Sequence, residues 1–160
     1  MQHVVVGVDT RESAPAALVW AVDLAERLDA DLDVVHVRPL SPAQIRTMVS
    51  TVPGRRACER FLKSEEDAQT RAARMLADRT LAASPVRWRF HVRAGDPATE
   101  LLAVADSIDA YAIVIGTRHG GAGVALERLL TGSVSHRTIH WTRRPVLVVP
   151  TLVDGDEVDE

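Results

Sequence analysis

Val4-Val5-Val6-Gly7-Val8-Asp9 is an apolar, largely β-branched run that ends on an aspartate. A strand that is apolar at every position, and not only at alternate ones, has to be covered on both faces, as a central strand of a parallel sheet is. Ala112-Ile113-Val114-Ile115 and Val146-Leu147-Val148-Val149 repeat the pattern, the latter between Pro145 and Pro150. Working outward from the first run, Leu18, Ala21, Val22, Ala25 and Leu28 recur at helical spacing, which predicts an amphipathic helix over roughly 14–29. Pro15 falls in its first turn and Ser13 is its candidate cap. Leu32, Val34, Val35 and Val37 give a second strand over 31–37.

Pro39, Pro42, Pro53 and Gly54 punctuate a segment without a strong period, read as a loop with room for one short helical turn. Phe61, Leu62, Ala68, Ala72, Met75 and Leu76 predict a helix from Arg55 to about Ala83, with Glu65-Glu66-Asp67 as a solvated face. Val86, Trp88, Phe90 and Val92 alternate with polar residues, giving a third strand near a sheet edge. Asp96 and Pro97 have the chemistry of a helix cap and first helical residue, and Leu101, Leu102, Val104 and Ala105 fill that helix's inward face. A fourth strand over 111–115, a helix from about Ser133 to Trp141 and the last strand complete the series. The expected fold is therefore an α/β, doubly wound, five-stranded parallel sheet with helices on both faces, as a single domain over 1–150. In such sheets ligands sit beyond the carboxyl ends of the strands, which singles out the loops after strands one, two and four.

Five of the nine glycines lie between positions 116 and 132, in the loop after strand four and at the start of the following helix. Glycine allows positive φ and close backbone approach, and the free N–H groups of a helix start attract phosphate. Taken alone, the cluster fits an anion cradle or a long turn equally well.

Composition narrows the classes. The chain has 160 residues, 46% hydrophobic and 26% charged, ordinary values for one globular domain. No apolar run is long enough to span a bilayer, and Met1-Gln2-His3-Val4 has no basic flank of a secretory signal. Cys58 is the only cysteine, which excludes an internal disulfide and is consistent with the cytoplasm. Net charge is −3, yet Asp154, Asp156, Glu157, Asp159 and Glu160 supply five of the negative charges, so the remainder is near +2. Residues 151–160 are expected to be an acidic, solvated and disordered tail. Arginines are scattered in short groups and only 4% of residues are aromatic, so nucleic-acid binding is not expected.

Several of these pieces, in this order, resemble the universal stress protein family along nearly the whole chain. They are Val4-Val5-Val6-Gly7-Val8-Asp9, Val35-His36-Val37, Gly95-Asp96-Pro97-Ala98-Thr99-Glu100-Leu101-Leu102 and Ile113-Val114-Ile115-Gly116-Thr117-Arg118. Leu129-Leu130-Thr131-Gly132-Ser133-Val134-Ser135 and Arg144-Pro145-Val146-Leu147-Val148-Val149 follow. The resemblance implies strand order 3-2-1-4-5 and a homodimer paired through the last strand, here Val146, Leu147, Val148 and Val149. For one branch of the family it also implies ATP binding, with or without Mg2+, through the pattern G-x2-G-x9-G-[S/T]. In that branch an aspartate after strand one approaches the nucleotide, a valine ending strand two meets the adenine, and the glycine loop with its Gly-Ser holds the phosphates. The matching positions are Asp9, Val37, Gly116, Gly132 and Ser133, with Val134 and Ser135 following. Thr117, Arg118, Gly120 and Gly123 of the loop complete the candidate set.

The loop departs from the pattern. His119 stands where a glycine is wanted, and the distance on to Gly132 is three residues too long. Counting from Gly120 gives Gly120-x2-Gly123, but then eight residues precede Gly132 where nine are wanted. An insertion of three residues within 120–126 accounts for both. The implied function is a stress-response module that binds ATP and acts as a regulatory or interaction protein, without catalytic residues or a metal site of its own. The alternative is a nucleotide-free dimeric interaction module of the same family.

Other candidates are weaker. His136 and His140 share a helix face but lack the glutamate of His-Glu-x-x-His. His3, His36 and His91 fall in strands and read as packed or edge residues. Cys58 lies among Arg55, Arg56 and Arg60, which favour a thiolate, but it has no partner cysteine. Ser13, Ser133 and Asp9 find neither a Gly-x-Ser-x-Gly elbow nor a placed histidine. A phosphorelay receiver would need an acceptor aspartate after strand three and a lysine before strand five, and Lys63 is the only lysine.

Overall fold

The computed structural model describes residues 2–9, 13–38, 42–51, 53–116, 138 and 141–150. In chain order the elements are β1 (Gln2–Val8), α1 (Ser13–Leu28), β2 (Ala30–Arg38), α2 (Pro42–Met48), α3 (Arg55–Leu81), β3 (Trp88–Ala94), α4 (Pro97–Ser107), β4 (Ala112–Gly116) and β5 (Val146–Val149). All strand pairings are parallel and the order is β3-β2-β1-β4-β5. The expected class, single domain and strand order are all observed. Of the helix expected over 133–141, Thr138 and Trp141 alone are described, and both are helical.

Two cores result from the period-two alternation of the strands. Val4, Val6, Leu32, Val34 and Val114 face α1 and α3 and pack on Ala17, Leu18, Ala21, Ala25, Ala73 and Ala77. The alanines at five of these six helix positions let helix and sheet approach closely, with Leu18 as the one larger side chain among them. Val5, Val35, Ile113 and Ile115 face α4 and pack on Leu101, Val104 and Ala105. Asp29 and Asp109 take φ 50°, the left-handed conformation that aspartate tolerates better than most residues, and turn α1 and α4 into the next strands.

The amino end of the sheet departs from the apolar rule. Asp31 and Asp33 lie on the α4 side of β2 and are buried, Asp33 completely. Asp33 accepts from His3 Nδ1 at 2.9 Å and from His91 Nε2 at 2.6 Å. Asp31 accepts from Arg87 Nε at 3.1 Å and from Arg89 at 3.4 Å. β2 thus carries two carboxylates and the flanking strands β1 and β3 carry their partners. At the start of β5, Arg144 donates to Asp106 and Asp109 at 3.2 and 3.1 Å and to the Ala110 carbonyl, fastening β5 to the α4–β4 turn. Burial works against the Arg144 charge, but the two carboxylates outweigh it and raise its pKa.

Two expectations are corrected, and the short helical turn allowed in the proline-rich segment is longer than expected. The proline-rich segment contains α2, a seven-residue helix, with Pro42 at its first position and Ile45 and Val49 buried one turn apart. Glu65-Glu66-Asp67 is not one solvated face: Glu66 is buried, and Asp67 pairs with Arg38 at 3.1 Å. The third strand begins at Trp88 and runs to Ala94, and Val92 is exposed while Trp88 and Phe90 pack beneath Arg74.

Candidate functional site

β1, β2 and β4 are neighbours and parallel, so their last residues come to one edge. Val8 is level with His36, which brings Asp9 beside Val37. Val6 is level with Val114, two residues before Gly116, so the exit of β4 flanks that of β1 on the other side. Asp9, Val37 and Gly116 are each half-buried. Three of the candidate residues, distant in sequence, are therefore gathered at the carboxyl edge. Thr117, Arg118, Gly120, Gly123, Gly132, Ser133, Val134 and Ser135 lie outside the described residues, as do His136 and His140.

The sheet holds this edge in place through side chains that the sequence did not single out as site residues. His36 is buried and its Nδ1 lies 3.1 Å from the Val8 carbonyl. A carbonyl only accepts, so Nδ1 carries the proton, and this bond fixes the backbone just before Asp9. Arg38, next to Val37, is held by Asp67 of α3, and its carbonyl accepts from Gly95 N at 2.9 Å. Gly95 has φ 141°, a conformation L side chains rarely adopt. The carboxylate of Asp96 then accepts from Thr99 N at 2.9 Å and from Thr99 Oγ1 at 2.7 Å, capping α4 as its sequence predicts. His36 was recognisable as polar within an apolar strand, but its partner lies 28 residues away, beyond any local pattern.

The edge combines one carboxylate, an apolar strand end and the first glycine of a glycine-rich segment. That combination suits a ligand with an apolar ring, hydroxyls and an anionic group. Among the described residues, no group of three or more His, Cys, Asp or Glu side chains is arranged to hold a metal ion. Cys58 is a free, half-buried thiol. No described helix is long and apolar enough to cross a membrane.

The sequence profile of the universal stress protein family matches residues 1–150. The chain belongs to the universal stress protein family. A universal stress protein of Methanocaldococcus jannaschii is 29% identical over 151 residues, covering 92% of this chain and 81% of that one. A universal stress protein of Mycolicibacterium smegmatis is also 29% identical, over 91% of this chain, which spans only 47% of that relative. Among solved structures, a universal stress protein of Archaeoglobus fulgidus superposes with a TM-score of 0.70 at 23% identity, covering 93% of this chain and 98% of its own. A universal stress protein from that organism in complex with dAMP gives 0.65 at 20% identity, over 93% and 98% of the two chains. A universal stress protein in complex with cAMP gives 0.63 at 25% identity, over 94% and 98%. The likeness to the Archaeoglobus structures is one of fold, and it agrees with the strand order of this universal stress protein.

Proposed function

We propose that this universal stress protein binds an adenine nucleotide, ATP with or without Mg2+, at the carboxyl edge of its sheet, and acts as a regulatory or interaction module in the cytoplasm. The observation that carries the reading is the gathering of Asp9, Val37 and Gly116 at the exits of three adjacent strands. Nucleotide complexes of two structural relatives support it, one with dAMP and one with cAMP. In this reading Val37 meets the base and Asp9 approaches the nucleotide. Gly116, Thr117, Arg118, Gly120, Gly123, Gly132, Ser133, Val134 and Ser135 surround the phosphates with backbone and hydroxyl donors. The chain works as a homodimer through the β5 edge, and it is not an enzyme: the protein responds to occupancy by shifting between populations.

Calorimetric titration of the protein with ATP and magnesium tests the proposal. Saturable heat is expected, with thermal stabilisation that reaches about 2.7 kcal/mol at a hundredfold excess over the dissociation constant. Gly132→Val should abolish it by blocking close backbone approach. A specific observation favours the second reading, a nucleotide-free interaction module: His119 and three additional residues interrupt the family's glycine spacing. No heat and no stabilisation at millimolar nucleotide would establish that second reading in place of the first.

A further inference from the structure

α3 is 27 residues long and runs antiparallel to the strands, towards the start of β3. Its buried residues are Glu66, Ala73, Ala77 and Leu81. Asp67 meets Arg38, the last residue of β2, so the eleven residues from Arg55 to Glu65, about 16 Å of helix, lie on the strand-exit side of that contact. α2 packs on α3.

Most cations of the sheet layer are held by carboxylates, while Arg71, Arg79 and Arg143 are exposed and form no ion pair among the described residues. Arg27, Arg38, Arg74, Arg87, Arg89, Arg93 and Arg144 are all ion-paired. Arg46 on α2, and Arg55, Arg56, Arg60 and Lys63 on α3, are exposed and form no ion pair among the described residues. Arg56, Arg60 and Lys63 are spaced i, i+4 and i+7, one stripe that continues to Asp67 on the flank turned to Arg38. The first turn of α3 has no acidic residue and its Gly54 cap offers no side chain, so Arg55 and Arg56 face the positive end of the helix dipole with no first-turn carboxylate to offset them.

The matching anion is in the same chain. β5 is parallel to β4, with Val149 level with Gly116, so the chain leaves β5 at the same carboxyl edge. Five carboxylates follow within residues 154–160. From β5 to β2 is three strand spacings, about 14 Å, whereas residues 150–160 can extend to about 36 Å. The tether keeps the carboxylates at a local concentration on the order of millimolar. We infer that the acidic segment 154–160 docks on the Arg56–Arg60–Lys63 stripe of its own chain, crossing the carboxyl edge to reach it.

Because Lys63 is the only lysine, a zero-length carbodiimide coupling reads this contact directly. In the full chain at low salt, peptide mapping should find Lys63 joined to a carboxylate of 154–160, alongside coupling to Glu59 one turn away on α3 as internal control. In a mixture of 15N-labelled and unlabelled protein the joined peptides should come from one chain. The yield should fall roughly fivefold or more in Arg56→Gln/Arg60→Gln, which keeps the helix but removes two attractions, and fall likewise at 1 M salt, where the screening length is about 3 Å. Coupling to Glu59 without coupling to 154–160 overturns the inference. So does a product formed only between labelled and unlabelled chains, or a yield indifferent to both salt and the double substitution.

Discussion

A carboxyl group that is 1% exposed needs hydrogen-bond partners for its oxygens, and Asp33 draws its donors from two strands. His3 and His91 bind one oxygen each, and Arg89 stands 3.9 Å away. Asp33→Ala should cost about 2–3 kcal/mol in urea unfolding, below the full penalty for orphaning a buried pair because His91 and Arg89 reach solvent. Asp33→Leu should recover part of that loss by filling the space with apolar atoms. Equal stability of Asp33→Ala and the parent would show that the bonds contribute nothing net. None of this network was legible in the sequence, where Asp31 and Asp33 simply interrupt a strand. Their partners lie 30 to 58 residues away, and only the pairing of β1 and β3 around β2 brings them into reach.

Helices and strands were read with unequal success for physical reasons. β1, β4 and β5 carry runs of consecutive apolar residues, and β2 keeps Leu32, Val34, Val35 and Val37, a signal that survives without knowing their neighbours. α4 declared itself through Asp96 and Pro97, and its cap is observed bonded to Thr99. Replacing Asp96 with Ala should cost about 1 kcal/mol and lower the melting temperature. Thr99→Val should be milder, because the Thr99 N–H keeps its bond to Asp96. An unchanged Asp96→Ala would mean that solvent caps the helix as well. α2 was obscured because Pro42 looks like a loop marker and is also acceptable at the first position of a helix. Ile45 and Val49, four residues apart, were the signal available. Glu66 misled because three consecutive acids suggest solvent, while the helical period turns the middle one inward.

Among the described residues β5 is the terminal strand of the sheet, and the dimer proposed for that edge is tested by its mass in solution. Leu147, on β5, is partly exposed. Leu147→Lys, a charge of the kind that edge strands use against pairing, should convert the dimer to a monomer in light scattering. The melting curve of that monomer should remain cooperative. A dimer that persists unchanged would move the interface elsewhere. The family and the sheet were legible from the ordered set of strand ends. Of the candidate site, the positions of Asp9, Val37 and Gly116 followed from the same strands, while the residues beyond Gly116 depend on a loop whose length departs from the family pattern.

The ionic lattice of Asp31 and Asp33 lies at the pole of the sheet opposite the strand exits. The strand exits are tied by their own bonds, from His36 to Val8 and from Arg38 to Asp67, so the two poles are held independently. His3, Arg87, Arg89 and His91, which clamp β2, all precede Gly116 in the sequence. A protein built this way can lengthen or rewrite the loop after its fourth strand in a single genetic step without first acquiring a compensating change in its scaffold.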